Sequence, residues 1–190
     1  MHRLVSAGIL AVVILAALPA QGTVMIFLND RELTERAQVV VQGTVVQQHV
    51  VPLQGRLWTD THVRVATSYK GYLQAGQTLV VRQPGGETPT LGMQVAGAAT
   101  FRLKEQVVLF ARPAGSAFTV VGMALGKYSV LHDRQGKLQV KRDLKGLSFA
   151  AFEPGGRMTV DHHPAVAAAS TLEALIARIT SHLTTSGGGR

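Results

Sequence analysis

Cysteine is absent from the 190-residue chain. Its absence excludes disulfide frameworks, thiolate zinc sites, iron–sulfur clusters, cysteine nucleophiles and a lipid-acylated cysteine. Charged side chains are sparse at 16% of residues, and aromatic ones make up 5%. With 46% hydrophobic residues, the charge is too dilute to keep the chain open, so the composition excludes a disordered protein. The length fits one domain of about 100–200 residues.

The first 22 residues have the pattern of a secretory signal peptide. A basic start at Arg3 precedes an uncharged apolar run over residues 4–18, and a proline and small residues follow it. We therefore predict cleavage before Thr23 and a secreted or periplasmic protein without a stable transmembrane segment. Because no charge occurs between Arg3 and Asp30, an uncleaved N-terminal membrane anchor is the alternative.

The chain is basic, with a formal net charge of +8 that signal cleavage would lower by one. Outside the cytoplasm, the counterparts of such a charge are anionic lipids, wall polymers, polysaccharides or an acidic protein. We therefore expect no nucleic-acid partner. The alternative is that this charge only keeps the domain soluble.

The segment from residue 23 to residue 160 is predicted to form one mainly β domain. After a short helix over residues 31–37, β-branched alternation marks a series of strands. Gly43 interrupts the first long strand and is expected at a bulge or a close contact. Turns with glycine and proline at this spacing are typical of a small barrel or sandwich. The predicted strands cover residues 23–28, 38–51, 58–69, 78–82, 106–111, 118–121, 127–132 and 137–141.

The predicted secondary structure changes from strands to a linker and a helix after residue 160. A linker is predicted over residues 161–169, then an amphipathic helix over residues 171–184, and a glycine-rich tail up to residue 190. Ser170 and Glu173 form the predicted capping box at the start of this helix. The apolar stripe that we expect to pack on the barrel consists of Leu172, Leu175, Ile176, Ile179 and Leu183.

Five segments combine turn glycines with alternating valines. They are ELTERAQVVVQGTVV at 32–46, WTDTHVRVATSYKG at 58–71, GQTLVVRQPGG at 76–86, EQVVLFARP at 105–113 and VVGMALGKYSV at 120–130. Together with the C-terminal helix, this succession resembles a family of uncharacterised secreted bacterial proteins. The resemblance implies a small OB-like β-barrel, of the kind seen in netrin-like modules and tissue inhibitors of metalloproteinases. It implies no catalytic residue.

Two features depart from that pattern. The metalloproteinase inhibitors place an N-terminal cysteine on the protease zinc, so their mechanism does not carry over to a chain without cysteine. Lys104 precedes Glu105 where the family has glycine, which puts the turn at that point in doubt.

Motifs for catalysis and metal binding are weak, so we predict a non-catalytic protein without a cofactor. Residues 122–127 resemble a phosphate loop only superficially, because the glycine spacing is short and Tyr128 replaces the required Ser or Thr. A turn followed by a strand is the prediction there. No serine lies in a G-x-S-x-G motif. The alternative is a hydrolase or a histidine-based metal protein, with candidate ligands Asp161, His162, His163, His62 and His132.

The strongest functional candidate is a basic segment, called here the basic hairpin. Its cations are Lys127, Arg134, Lys137, Lys141, Arg142 and Lys145. Leu138 and Val140 are predicted to point to the face opposite the lysines. We therefore predict an envelope-associated binding module that contacts an acidic protein or an anionic envelope polymer through this hairpin. The alternative is a solvated edge hairpin whose lysines prevent aggregation between sheets.

Overall fold

The computed structural model describes residues 23–145, 147–152, 157–161 and 170–187. The predicted signal peptide and the C-terminal tail at 188–190 lie outside the described residues, as do His162, His163 and most of the predicted linker. Within the described part the fold is mainly β, as predicted. None of its helices is long and apolar enough to cross a membrane.

The described residues form two α-helices, α1 (Asp30–Arg36) and α2 (Leu172–Gly187), and a 3₁₀ turn at Met123–Gly126. The 3₁₀ turn runs directly into a strand, so the turn-and-strand prediction for residues 122–127 is confirmed. The strands are β1 (Thr23–Ile26), β2 (Val39–Leu53), β3 (Arg56–Lys70), β4 (Thr78–Pro84), β5 (Gly86–Glu87), β6 (Gly92–Met93), β7 (Gln106–Ala114), β8 (Ala117–Val120), β9 (Lys127–His132), β10 (Leu138–Lys141), β11 (Leu147–Phe152), β12 (Met158–Asp161) and β13 (Ser170–Thr171).

The main sheet has the strand order β13-β10-β9-β7-β2-β3-β4-β8. Strand β8 also pairs with β7 in antiparallel fashion, and it meets β4 in parallel fashion at Val81 and Phe118. A second sheet has the order β1-β11-β12, and β5 pairs with β6 in a small ribbon. Strands β11 and β12 were not predicted from the sequence.

The hairpin of β2 and β3 is the longest pairing of the main sheet, with 15 residues in each strand. Gln54 and Gly55 connect the strands with φ values of 51° and 72°, as the favoured two-residue hairpin turn requires. The register shifts between Gln42 and Gly43. A Cβ atom on Gly43 would lie 2.4 Å from the carbonyl oxygen of Arg64, so the predicted bulge and close contact are both confirmed.

Side-chain alternation along the central strands divides the interior into two hydrophobic cores. Val40 enters a first core that also contains residues of α1 and α2, and Val41 enters a second core. The apolar stripe of α2 packs in the first core, as predicted, with Leu175 and Ile179 fully buried.

The start of α2 differs from the prediction. The backbone N–H of Ala174 donates to Thr171 Oγ1 at 3.1 Å, so Thr171 caps the helix. The predicted capping box of Ser170 and Glu173 is therefore wrong. Ser170 pairs instead with Val140 in the sheet, and its hydroxyl accepts a hydrogen bond from α2.

Candidate functional site

The structure separates the six cations of the basic hairpin into two groups. Lys127 and Arg142 are buried, with 4% and 7% of their surface exposed. Of the six cations assigned to the basic hairpin from the sequence, these two therefore do not lie on its exposed surface. The four exposed cations are Arg134, Lys137, Lys141 and Lys145.

Lys127 is buried because Glu105 neutralises it. Its Nζ donates to Glu105 Oε1 at 2.5 Å and to Ser129 Oγ at 2.8 Å, and the Ser129 hydroxyl donates to the same carboxylate oxygen at 2.6 Å. Burial acts to raise the pKa of Glu105, but the hydrogen bonds from Lys127 and Ser129 outweigh it, so this pKa lies below its ordinary value. The pair forms a fixed, neutral unit.

Arg142 is buried between two aromatic rings. Its guanidinium carbon lies 5.1 Å from the ring centre of Phe27 and 5.0 Å from that of Tyr128. Its Nη1 donates to the carbonyl oxygen of Leu28 at 3.4 Å. Such stacking is favourable for a desolvated guanidinium. Arg142 therefore connects the segment after β1 to β9 and has a structural role.

Two of the exposed lysines, Lys141 and Lys145, line a cleft of about 560 Å³ that we call the cationic cleft. Arg134 and Lys137 are not among its lining residues. The turn before β7 contributes further cations that the sequence analysis did not select. The charged side chains along the cleft are Arg102, Lys104, Glu105, Lys127, Lys141, Asp143 and Lys145.

The charge balance of the cationic cleft is strongly positive. Glu105 and Lys127 neutralise each other at its floor. Four exposed cations then face a single exposed carboxylate, Asp143, among the lining residues that the structure describes. Leu103 and Leu131 are also exposed along this lining and offer apolar contacts between the charges. The cleft is therefore suited to an anionic ligand.

The turn that carries the extra cations is held rigidly. The backbone N–H of Arg102 donates to Glu105 Oε2 at 2.9 Å, and that of Lys104 donates to the carbonyl oxygen of Val45 at 2.9 Å. Lys104 has a φ of +67°, so the turn that its residue type put in doubt is present, with lysine in the left-handed region. This conformation costs a non-glycine residue about 1–2 kcal/mol. Strain at a residue that lines a cleft is typical of functional positions.

The tip of the basic hairpin is also ordered, but it lies outside the cationic cleft. Asp133 Oδ1 accepts hydrogen bonds from the backbone N–H groups of Gln135 and Lys137, both at 2.9 Å. Its Oδ2 accepts from Gln139 Nε2 at 3.0 Å, and this bond is the main reason that the pKa of Asp133 lies below its usual range. Arg134 and Lys137 are thus positioned on a separate, closed turn.

The histidines of the described part of the chain do not form a metal site. No group of three or more His, Asp or Glu side chains is placed there to hold a metal ion. His62 lies beside His49, with 5.2 Å between the ring centres, whereas His132 lines the cationic cleft. The candidate ligands His162 and His163 lie outside the described residues.

No protein-family model matches this chain, and no curated protein matches it in sequence. The geometry and charge of the cationic cleft therefore support the functional conclusion by themselves.

Proposed function

We propose that this protein is a non-catalytic binding module whose cationic cleft holds a segment of an acidic polymer with carboxylate or phosphate groups. The observation that carries the proposal is the excess of four exposed cations over one exposed carboxylate in a concave site. A cleft of about 560 Å³ admits a polymer segment, whereas a planar bilayer would contact only its rim.

The affinity is expected to come from several weak contributions. Each exposed charge pair is worth about 0–1 kcal/mol, so a single lysine cannot hold a ligand. A polymer meets several cations at once, and its repeated groups make the separate contributions add. Because the charges are exposed, salt screens them, and binding should weaken as the ionic strength rises.

The fold and the location belong to the same proposal. An OB-like barrel of the netrin-like kind is supported by a cyclic succession of pairings, β2–β3–β4–β8–β7–β2, in which one residue pair joins β4 to β8. A secreted or periplasmic location is supported by the pattern of residues 1–22, with cleavage before Thr23 or retention as an N-terminal anchor. Acidic envelope polymers and secreted acidic proteins are the ligands available there.

Charge reversal at two pairs of sites tests the proposal. The variant Lys141→Glu/Lys145→Glu changes the cationic cleft, and Arg134→Glu/Lys137→Glu changes the net charge equally outside it. Fluorescence anisotropy measures the binding of labelled poly-L-glutamate and of labelled polyphosphate at low and high salt. We expect the cleft variant to bind about tenfold or more weakly, and the control to stay within about twofold of the wild type.

The two polymers distinguish the ligand chemistry. Preference for poly-L-glutamate assigns carboxylates to the cleft, and preference for polyphosphate assigns phosphates. Equal losses in both variants would show that only the net charge matters and would overturn the assignment to the cleft. Absence of binding to either polymer, with binding to phosphatidylglycerol vesicles instead, would replace the polymer by a membrane surface.

A further inference from the structure

Two exposed leucines lie in the cationic cleft. Leu103 and Leu131 line it, with 58% and 48% of their surface exposed. Single apolar side chains are common on protein surfaces and need no explanation by themselves. These two differ because they share a concave site with four exposed cations. A ligand that fills the cleft therefore covers apolar and cationic side chains together.

Leu103 is held between two of the cations. Its sequence neighbours, Arg102 and Lys104, both line the cleft. Their backbone N–H groups are bound to Glu105 Oε2 and to the carbonyl oxygen of Val45, each at 2.9 Å. Because the turn is fixed in this way, the side chain of Leu103 stays in water in the free protein. A ligand that covers it gains the free energy of removing apolar surface from water.

Leu131 lies beside a third cation on the sheet. In the antiparallel pairing of β9 with β10, Leu131 is opposite Gln139 and Ser129 is opposite Lys141. Residues two apart on a strand point to the same face, so Leu131 and Lys141 are diagonal neighbours on one face. Both line the cationic cleft. An apolar side chain is therefore next to a cation on the sheet as well as on the turn.

This alternation of apolar and cationic groups distinguishes among acidic polymers. Polyphosphate carries a charge on every unit, and a charged group placed against a leucine loses hydration without gaining a partner. A polypeptide presents carboxylates and aliphatic side chains on neighbouring residues of one short segment. Protein interfaces combine apolar contacts with complementary charges in this way. An acidic peptide therefore matches both kinds of side chain in the cleft.

We infer that the cationic cleft binds an acidic peptide segment of a partner protein, in which apolar residues lie among the glutamates or aspartates. The carboxylates of the segment pair with the four exposed cations, and its apolar side chains cover Leu103 and Leu131. The inference rests on the proposed binding of an acidic polymer to this cleft, and it specifies which acidic polymer is bound.

Two peptides of equal charge test the inference on the wild type. Their sequences are EELEELEE and EESEESEE, both blocked at their ends and labelled with fluorescein, and fluorescence anisotropy measures their affinities. We expect the leucine peptide to bind about tenfold more tightly than the serine peptide. At high salt both peptides should bind more weakly, but the ratio of their affinities should persist, because salt screens charges and leaves apolar contacts in place.

Substitution of the two leucines locates the apolar contact. In Leu103→Gln/Leu131→Gln we expect the preference for the leucine peptide to fall to about twofold or less. Leu91→Gln is the matched control, because Leu91 is 55% exposed and is not among the residues that line the cleft. It should keep the tenfold preference. Thermal unfolding checks that each variant is folded, and the wild-type salt series tests the inference even where a variant is not.

The outcomes separate this inference from the proposed function. Equal binding of both peptides by the wild type would overturn the inference and leave the cleft as a site for any acidic polymer. A tenfold preference that persists in the double leucine variant would also overturn it, because the apolar contact would then lie elsewhere. Binding of polyphosphate without binding of either peptide would assign a phosphate polymer to the cleft instead. Absence of binding by the peptides and by both polymers would overturn the proposed function as well.

Discussion

Asp30 Oδ2 accepts a hydrogen bond from Arg178 Nε at 2.7 Å, across 148 residues of sequence. The other carboxylate oxygen of Asp30 accepts the hydroxyl of Tyr128, whose pKa is raised by burial, so that it remains a donor. Arg178 also donates from Nη1 to Ser170 Oγ at 3.2 Å. One carboxylate at the start of α1 therefore holds β9 and α2 together.

We expect Asp30→Ala to destabilise the protein more than Arg178→Ala. Loss of the carboxylate leaves the buried Tyr128 hydroxyl without its charged partner, which costs about 2–4 kcal/mol in total. Arg178 is 42% exposed, so its removal costs about 1 kcal/mol. Urea denaturation of both single variants and of the double variant measures the free energies of unfolding and their coupling.

Arg31→Ala is the control for this comparison. Arg31 pairs with Glu35 at 2.8 Å within α1, but both side chains are well exposed. We expect no measurable loss of stability from it. Strict additivity of the Asp30 and Arg178 substitutions would show that the 2.7 Å contact contributes no coupling energy, contrary to the finding above.

Glu105 makes stability depend on acid pH. Its pKa is lower in the folded protein than in the unfolded chain, so its contribution is complete above the unfolded value of about 4.3. The contribution is lost as the pH falls through the folded pKa. In Glu105→Gln we expect a shallower loss of stability below about pH 4.3. The variant should also be destabilised at neutral pH by about 3–5 kcal/mol, since Lys127 stays buried without a counter-ion.

Denaturant titrations at several pH values measure this effect, with Glu87→Gln as the control at an exposed position. Asp60 also makes the protein less stable at acid pH, because the hydrogen bond from Arg82 lowers the pKa of Asp60 in the folded protein. A residual acid-dependent loss is therefore expected in the Glu105 variant. A slope equal to that of the wild type would contradict the lowered pKa of Glu105.

Gly43 leaves no room for a side chain. A Cβ atom there would lie 2.4 Å from the Arg64 carbonyl oxygen and 2.8 Å from a methyl group of Val63, so the strands must separate to admit it. We expect Gly43→Ala to lower the free energy of unfolding by about 2–4 kcal/mol, measured by urea denaturation. Gly92→Ala, where nothing lies within 4 Å of the added atom, should be nearly neutral. Equal stabilities of the two variants would mean that the strands at the Gly43 bulge move apart to admit a side chain without a loss of stability.

Local patterns predicted the elements whose formation depends on nearby residues. The stripe of α2, the bulge at Gly43 and most strands of the main sheet follow from periodicity and turn chemistry. The burial of Lys127 does not, because it depends on Glu105, which lies 22 residues away in sequence. Arg142 is likewise buried by contacts with Phe27 and Leu28. Of these, Leu28 lies 114 residues from Arg142 in the sequence.

The same reasoning explains what was missed in the site and the second sheet. Strand β11 pairs in parallel with β1, which lies at the other end of the described chain. No local sequence pattern predicts a pairing over such a distance. Arg102 and Lys104 belong to a turn that only the fold brings to the basic hairpin. One sequence feature could have pointed to this turn, because two cations lie within three residues directly before the strand predicted at 106–111.

Lys104 offers a test in which stability and binding should move in opposite directions. Replacement by glycine removes the left-handed strain of about 1–2 kcal/mol but makes the unfolded chain more flexible, by about 0.4–1 kcal/mol. We therefore expect Lys104→Gly to be more stable by about 0.5–1 kcal/mol and to bind the acidic polymer more weakly. Thermal unfolding and fluorescence anisotropy on the same samples measure both effects.

Gln54→Gly is the matched control, because Gln54 has a φ of 51° in the hairpin turn of β2 and β3 and does not line the cationic cleft. It should gain similar stability and leave polymer binding unchanged. If both variants gain stability and both bind as the wild type does, the strain at Lys104 has no connection with a ligand, and the cleft loses one of its four exposed cations as a contact. If only Lys104→Gly loses affinity, a lysine is kept in an unfavourable backbone conformation at the position where its charge lies along the cleft.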